Sequence, residues 1–134
     1  MTDYTLIFDG GSLGNPGPGY GSYALIRNGD GAQRIERVDF GENMTNNVAE
    51  YRTLIGGLED IVGAIEQAGR DPSEFSIEVR GDSRLVLNQV AGKWKVKKPH
   101  LRPLRDRTRK LLRRFGKFEL VWQERSESVD VLGH

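Results

Sequence analysis

Apolar residues fall along this chain in runs of two kinds, and their spacing predicts the elements. Tyr4–Phe8 is a short continuous apolar run of strand type, closed by Asp9-Gly10-Gly11. The stretch from Gly10 to Gly21 holds six Gly and two Pro and reads as a loop or wide hairpin connection. Tyr20–Arg27 and Gln33–Phe40 follow as strands joined at Asn28-Gly29-Asp30-Gly31, a hairpin signal. In the second of these, Ile35, Arg37 and Asp39 alternate imperfectly with Glu36, Val38 and Phe40, which leaves the register open. The period then changes. Tyr51, Leu54, Ile55, Leu58, Ile61, Val62 and Ile65 keep the spacing of one buried helical face, with Thr45 as its cap and Gly69 near its stop.

Phe75–Arg80 is a fourth strand, ended by Gly81-Asp82, and Ser83–Val90 a short helix stopped near Gly92. Pro99–Phe115 is predicted helical, with Leu101, Leu104, Thr108, Leu111 and Leu112 on its apolar side. Phe118–Gln123 is a fifth strand, and Ser126–Leu132 begins a last helix of barely two turns. Three hairpin-like strands followed by two helical crossovers make an α/β chain. The expected sheet is mixed and five-stranded, a three-strand antiparallel meander plus two parallel strands, flanked by helices on both faces.

At 134 residues the chain is expected to be a single domain, 1–134, with a core large enough to need no staples. Having no Cys excludes disulfides, thiolate zinc sites and a cysteine nucleophile. No apolar run reaches membrane-spanning length and no signal peptide is visible, so a cytoplasmic protein without a membrane partner is expected. The net charge of +1 hides an asymmetry: between Arg84 and Phe115 twelve Lys/Arg face one acid, Asp106, and the rest of the chain is correspondingly acidic. Such a block suits a polyanion, although a solvated helix face explains it as well.

The carboxylates sharpen the picture. Asp9 follows the first strand and Asp82 the fourth; if these strands are parallel neighbours, both acids stand at one end of the sheet. Glu50 lies one turn into the first long helix, and Asp130 in the last short one. Gathered together, four such acids would repel one another unless a divalent cation neutralised them. Hard oxygen ligands without Cys or a nearby His select Mg²⁺ or Mn²⁺ over zinc. Two such ions about 4 Å apart can activate water and stabilise the departing oxygen of a phosphodiester. Each acid taken alone is equally a turn or cap residue.

Four segments, FDGGSLGNPGPGYG (8–21), TNNVAEYRTLIGGL (45–58), GDSRLVLNQVAGKW (81–94) and RSESVD (125–130), resemble the signature blocks of type 1 ribonuclease H, in that family's order and spacing. The resemblance covers essentially the whole chain. It implies endonucleolytic cleavage of the RNA strand of RNA–DNA hybrids with two Mg²⁺ ions, leaving 3′-hydroxyl and 5′-phosphate ends. Carried over residue by residue, it makes Asp9, Glu50, Asp82 and Asp130 the metal ligands. Asp9 would bridge both ions, Glu50 and Asp82 would hold the one on the leaving-group side, and Asp130 the one that delivers water. The family's last block usually has Asn and Ala where this chain has Ser126 and Val129.

Substrate contacts follow the same correspondence. Gly10, Gly11, Ser12 and Asn15 match positions that meet the RNA minor groove, where 2′-hydroxyls distinguish RNA. Thr45, Asn46 and Asn47 open a helix whose free N–H groups favour phosphate, with Thr45 an N-cap in either case. Trp94 and Lys93, beside Lys95, Lys97 and Lys98, would stack on deoxyribose and meet phosphates; Trp94 as a core anchor is the competing reading. The Arg-rich helix 102–114 is expected to be mostly a solvated face that adds electrostatic affinity. Two features depart from the family. The loop 123–128 lacks the usual mobile His, with Glu124, Arg125 and Glu127 the available substitutes and neither His100 nor His134 assigned a role. The chain also ends four residues after Asp130, leaving that acid on a segment expected to fray. Expected partners are an RNA–DNA hybrid and no small-molecule cofactor, with the chain a monomer. A catalytically silent module binding hybrids or double-stranded RNA is the alternative. A kinase-like phosphate loop in GNPGPG lacks the Gly-Lys-Ser/Thr ending such loops require.

Overall fold

The computed structural model describes residues 2–133. Three antiparallel strands open the chain: β1 (Tyr4–Ser12), β2 (Gly17–Arg27) and β3 (Ala32–Met44). Helix α1 (Asn46–Gln67) leads to β4 (Ser76–Gly81), then α2 (Arg84–Val90), α3 (Arg102–Leu112), β5 (Lys117–Trp122) and α4 (Arg125–Leu132). The sheet order is β3-β2-β1-β4-β5, with β4 parallel to both β1 and β5. This is the mixed sheet that the apolar pattern predicts.

Three boundaries differ from the sequence reading, each for a physical reason. β1 does not stop at Phe8 but runs through Asp9, Gly10 and Gly11 to Ser12, because β2 pairs with it along that whole length, Gly10 opposite Gly21 and Ser12 opposite Gly19. The glycine-rich stretch is therefore mostly ladder, with a connection of residues 13–16 alone. The predicted helix over Pro99–Phe115 splits into a 3-10 turn, Pro99–Leu101, and α3, with Pro103 fitting the first turn of α3, where its missing N–H leaves no bond unmade. The register of β3 is fixed with Arg34 opposite Leu25, Glu36 opposite Tyr23 and Val38 opposite Gly21.

Burial of the sheet is unequal. Leu6, Phe8, Tyr23, Leu25, Ile77 and Val79 point to one face, where Tyr51, Leu54 and Leu58 of α1, Val86 of α2 and Leu112 of α3 close over them. The opposite face has a small cluster, Ile7 and Ala24 under Leu132 of α4. Helices do cover both faces, as expected, but three on one and one on the other. Alternation along β1 thus sends Leu6 and Phe8 into the main core and turns Ile7 and Asp9 to the α4 side.

The contact of α1 with the strands is unusually close. A Cβ on Gly10 would stand 2.7 Å from the Ala49 carbonyl oxygen, and one on Gly21 only 1.9 Å from Thr53 Oγ1. Two facing glycines let the helix lie on the strand pair and bring Glu50 to the end of the sheet.

Candidate active site

Parallel pairing sets Ile7 of β1 beside Arg80 of β4, and two further positions along each strand are Asp9 and Asp82. Glu50 reaches them from the first turns of α1. Asp9, Glu50 and Asp82 line one polar hollow of about 240 Å³ together with Gly10, Gly11, Tyr20, Asn46 and Arg125. Asp9 is buried, with 3% of its surface exposed. The guanidinium of Arg125, at the start of α4, lies 3.4 Å from Asp9 Oδ1 and 3.6 Å from Asp82 Oδ2.

Electrostatics show what this gathering costs. Burial pushes the Glu50 carboxyl up to about 7, and the negative charges of Asp82 and Asp9 push the same way; a hydrogen bond with Ser83 and the charge of Arg125 offset part of it. Asp82 is also raised, by burial first and then by Asp9, with Arg125 opposing. The folded chain therefore holds an extra proton on Glu50 between about 4.5 and 7, and stability falls as pH rises through that window. Glu50→Gln is expected to remove most of this slope and to stabilise the metal-free protein by about 1–2 kcal/mol at pH 8, with little difference near pH 4. Thermal melts in EDTA at the two pH values test it; a variant less stable than wild type at pH 8 contradicts it.

Of the four acids singled out in the sequence, three line the hollow. Asp130 is exposed on α4 and is absent from the lining of the hollow. The helix around it is nonetheless closed, with Gly133 in the left-handed conformation and its N–H bonded to the Val129 carbonyl at 2.8 Å. Among the described residues no three acidic or imidazole side chains are disposed to hold an ion as they stand. The donor set suits a hard cation all the same: oxygen ligands only, two of the acids raised by burial and then by the charge of neighbouring acids, and a guanidinium already serving as the cation between Asp9 and Asp82.

The substrate-contact residues divide by what they touch. Asn46 Oδ1 accepts from the Ser12 backbone N–H at 2.9 Å and from the Ser12 hydroxyl at 3.1 Å, while Asn15 Oδ1 accepts from the Asn46 N–H at 3.2 Å. These side chains tie the 13–16 turn to the start of α1, which places Asn46 at the hollow's rim. Thr45 is the N-cap, its Oγ1 accepting from the Val48 N–H at 3.3 Å. Asn47 is half-buried beside it. Gly10 and Gly11 form the floor of the hollow, and the Tyr20 hydroxyl lies 2.8 Å from where a Gly11 Cβ would sit, so the ring takes the place of a side chain there.

Lys93 and Trp94 follow α2 in a turn held by their N–H groups on the Asn88 carbonyl, at 2.9 and 3.2 Å. Val96 is buried below them, whereas Trp94 is 49% exposed, which removes its reading as a core anchor. Lys93, Lys95, Lys97 and Lys98 are exposed as well. His100 is exposed in the turn before α3, and His134 lies outside the described residues. Tyr20 and Ser83 were not legible as site residues: a tyrosine in a strand pattern and a serine before a helix both read as structural. Arg125 had one signal, its place in the loop where the family's His is missing.

A family profile described as Reverse transcriptase-like matches residues 8–131. In sequence the chain is similar to the ribonuclease HI of Halobacterium salinarum, 40% identical over 95% of this chain and 60% of that protein. The chain thus spans less than two thirds of that relative's length. In structure it is similar to the crystallised type 1 ribonuclease H of the same archaeon, with a TM-score of 0.80, 38% identity, and coverage of 96% of this chain and 92% of that one. A compost-derived type 1 ribonuclease H, crystallised with an RNA/DNA hybrid, gives a TM-score of 0.80 at 29% identity over 95% of this chain and 89% of that chain.

Proposed function

The chain belongs to the type 1 ribonuclease H family, and from that premise we propose that it hydrolyses the RNA strand of RNA–DNA hybrids by metal-dependent phosphodiester cleavage. The observation that carries the proposal is the convergence of Asp9, Glu50 and Asp82, from β1, α1 and β4, on one polar hollow. These three would hold the divalent cations, Mg²⁺ or Mn²⁺. Two such ions, when bound, activate the attacking water and neutralise the charge that develops on the departing 3′-oxygen. Water adds across the P–O3′ bond, leaving a 5′-phosphate and a 3′-hydroxyl.

The chain's own residues supply position and selectivity. The close-lying backbone of Gly10 and Gly11 lets the sugar edge of the RNA strand approach, where a 2′-hydroxyl can be read. The positive end of the α1 dipole, beside Asn46, favours phosphate, with two of its N–H groups already bonded to Asn15 and Thr45. Trp94, exposed, would meet the DNA strand by stacking and its flanking lysines through phosphates, a reading that their exposure supports. Arg125 holds Asp9 and Asp82 together until a metal competes for the same oxygens.

The test is a cleavage assay on labelled RNA–DNA hybrid, duplex RNA and duplex DNA in Mg²⁺, with EDTA as control. Products from the RNA of the hybrid in Mg²⁺, and none in EDTA, are expected. The exposure of Asp130, outside the hollow's lining, motivates the second reading, a binding module without chemistry. Tight hybrid binding with no product under Mg²⁺ or Mn²⁺ would establish that reading instead.

A further inference from the structure

Arg84 opens α2, two residues beyond Asp82. Its guanidinium lies over the Trp122 ring, 3.9 Å from the ring centroid. Trp122 is itself fixed, its Nε1–H donating to the Asp82 carbonyl at 3.1 Å, and it is 40% exposed. The Asn88 side chain donates to the Arg84 carbonyl at 2.7 Å, which steadies the backbone below. Asp82, Arg84 and Trp122 thus form one rigid corner at the end of β4 and β5.

What sets Arg84 apart is that a ring holds it by its face while, among the described residues, its guanidinium makes neither an ion pair nor a hydrogen bond. Arg102 and Arg109, by contrast, have N–H groups taken by backbone carbonyls. Arg70 also lies over a ring, Phe75, yet its N–H groups are engaged by Glu74. Arg27, Arg34, Arg80 and Arg107 pair with carboxylates. Among the described residues Arg84 makes no ion pair, so the Trp122 ring holds the guanidinium while its donors stay available. A planar fork of that kind matches two phosphate oxygens, and holding it in advance reduces the ordering cost of binding.

The geometry points to Arg84, stacked on Trp122, as a phosphate-binding residue that takes a backbone phosphate of the RNA strand adjoining the one presented to Asp9, Glu50 and Asp82. Two residues place its Cα within about 7 Å of that of Asp82, and successive phosphates of a duplex strand are separated by about 3.4 Å of axial rise. Trp122 is a positioning residue, acting through Arg84. The inference rests on the hybrid being the substrate and adds a residue to its recognition.

Hybrid binding by fluorescence anisotropy, in EDTA over a range of NaCl, tests it with Arg84→Gln, Trp122→Leu and the double variant, with melting temperatures alongside. Arg84→Gln is expected to weaken binding about 5–10-fold and to lower the slope of log K against log salt by about 1. Trp122→Leu should lose threefold or more, and the double variant should be no weaker than Arg84→Gln alone, because the ring acts through the guanidinium. Arg113→Gln removes the same charge at the opposite end of α3 and should change the slope by less than a third as much. An Arg84→Gln protein with wild-type slope and affinity overturns the inference while the hybrid reading stands, as does weaker binding with an unchanged slope, which would indicate base stacking. A wild-type protein that binds no hybrid removes both.

Discussion

Asp9→Asn is expected to lower cleavage of an RNA–DNA hybrid by about 10³-fold or more, close to 4 kcal/mol of transition-state stabilisation, while the protein still folds and binds the hybrid. Asp9 is almost fully buried, and its neighbours in the hollow are Glu50, Asp82 and Arg125. An amide has the carboxylate's shape but neither its charge nor a second anionic oxygen for a hard cation. The change also removes one of the charges that, after burial, raise Glu50 and Asp82, so both carboxyls move part of the way back toward the ordinary range, which offsets the lost ion pair with Arg125. The measurement is single-turnover cleavage in Mg²⁺ beside anisotropy binding in EDTA. Asp130→Asn belongs in the same experiment: exposed and outside the hollow, it should cost about tenfold or less. Asp9→Asn protein cutting at the wild-type rate would refute the mechanism, and an Asp130 variant as inactive as Asp9→Asn would bring that acid back among the ligands.

A methyl group on Gly21 should be nearly as damaging, through the fold. The added carbon would fall 1.9 Å from Thr53 Oγ1, 2.9 Å from its Cβ and 3.0 Å from its Cγ2. Thr53 is fully buried, and its hydroxyl donates to the Ala49 carbonyl at 2.7 Å, so rotating away breaks a buried bond. Either α1 lifts from the strands or β2 bends. Gly21→Ala is expected to cost about 3 kcal/mol, near 10 °C in Tm. Because α1 carries Glu50, activity should fall as well. Adding Thr53→Ala removes Oγ1 and Cγ2, leaving only the Cβ at 2.9 Å, and should recover part of the stability, which a double-mutant cycle reads directly. A Gly21→Ala protein melting within 2 °C of wild type, on the scale of about 3–5 °C per kcal/mol, would show that the helix does not lie as close as described.

The contrast between these two positions shows where sequence reasoning succeeds. Asp9 stood out because an acid after an apolar run, with Asp82 in the matching place later on, has a chemical meaning whatever the details of packing. Gly21 did not stand out. It lay where the stretch read as a loop overlaps the first residues of the strand Tyr20–Arg27. Since glycines carry no apolar signal, nothing marked the ladder with β1 that passes straight through it. Trp94 shows the same limit: composition placed a tryptophan among lysines, and burial alone decided that it faces outward. Arg125 lies far along the chain from both of the acids it touches, and no local pattern encodes that contact.

Local order, then, was written in the residues themselves. Periods of two and of 3.6, turn chemistry and cap residues depend on neighbours a few positions away, so they set the order of strands and helices, the mixed sheet and the ends at which the acids appear. Distances between separated segments depend on how the elements settle against one another. Packing decided that three of the acids share a hollow with Arg125 while Asp130 is exposed on α4. It decided, too, that Arg84 lies on Trp122 beside Asp82. Side-chain placement across a sheet end is fixed by close packing of the core beneath it, and that is a property of the whole chain rather than of any segment.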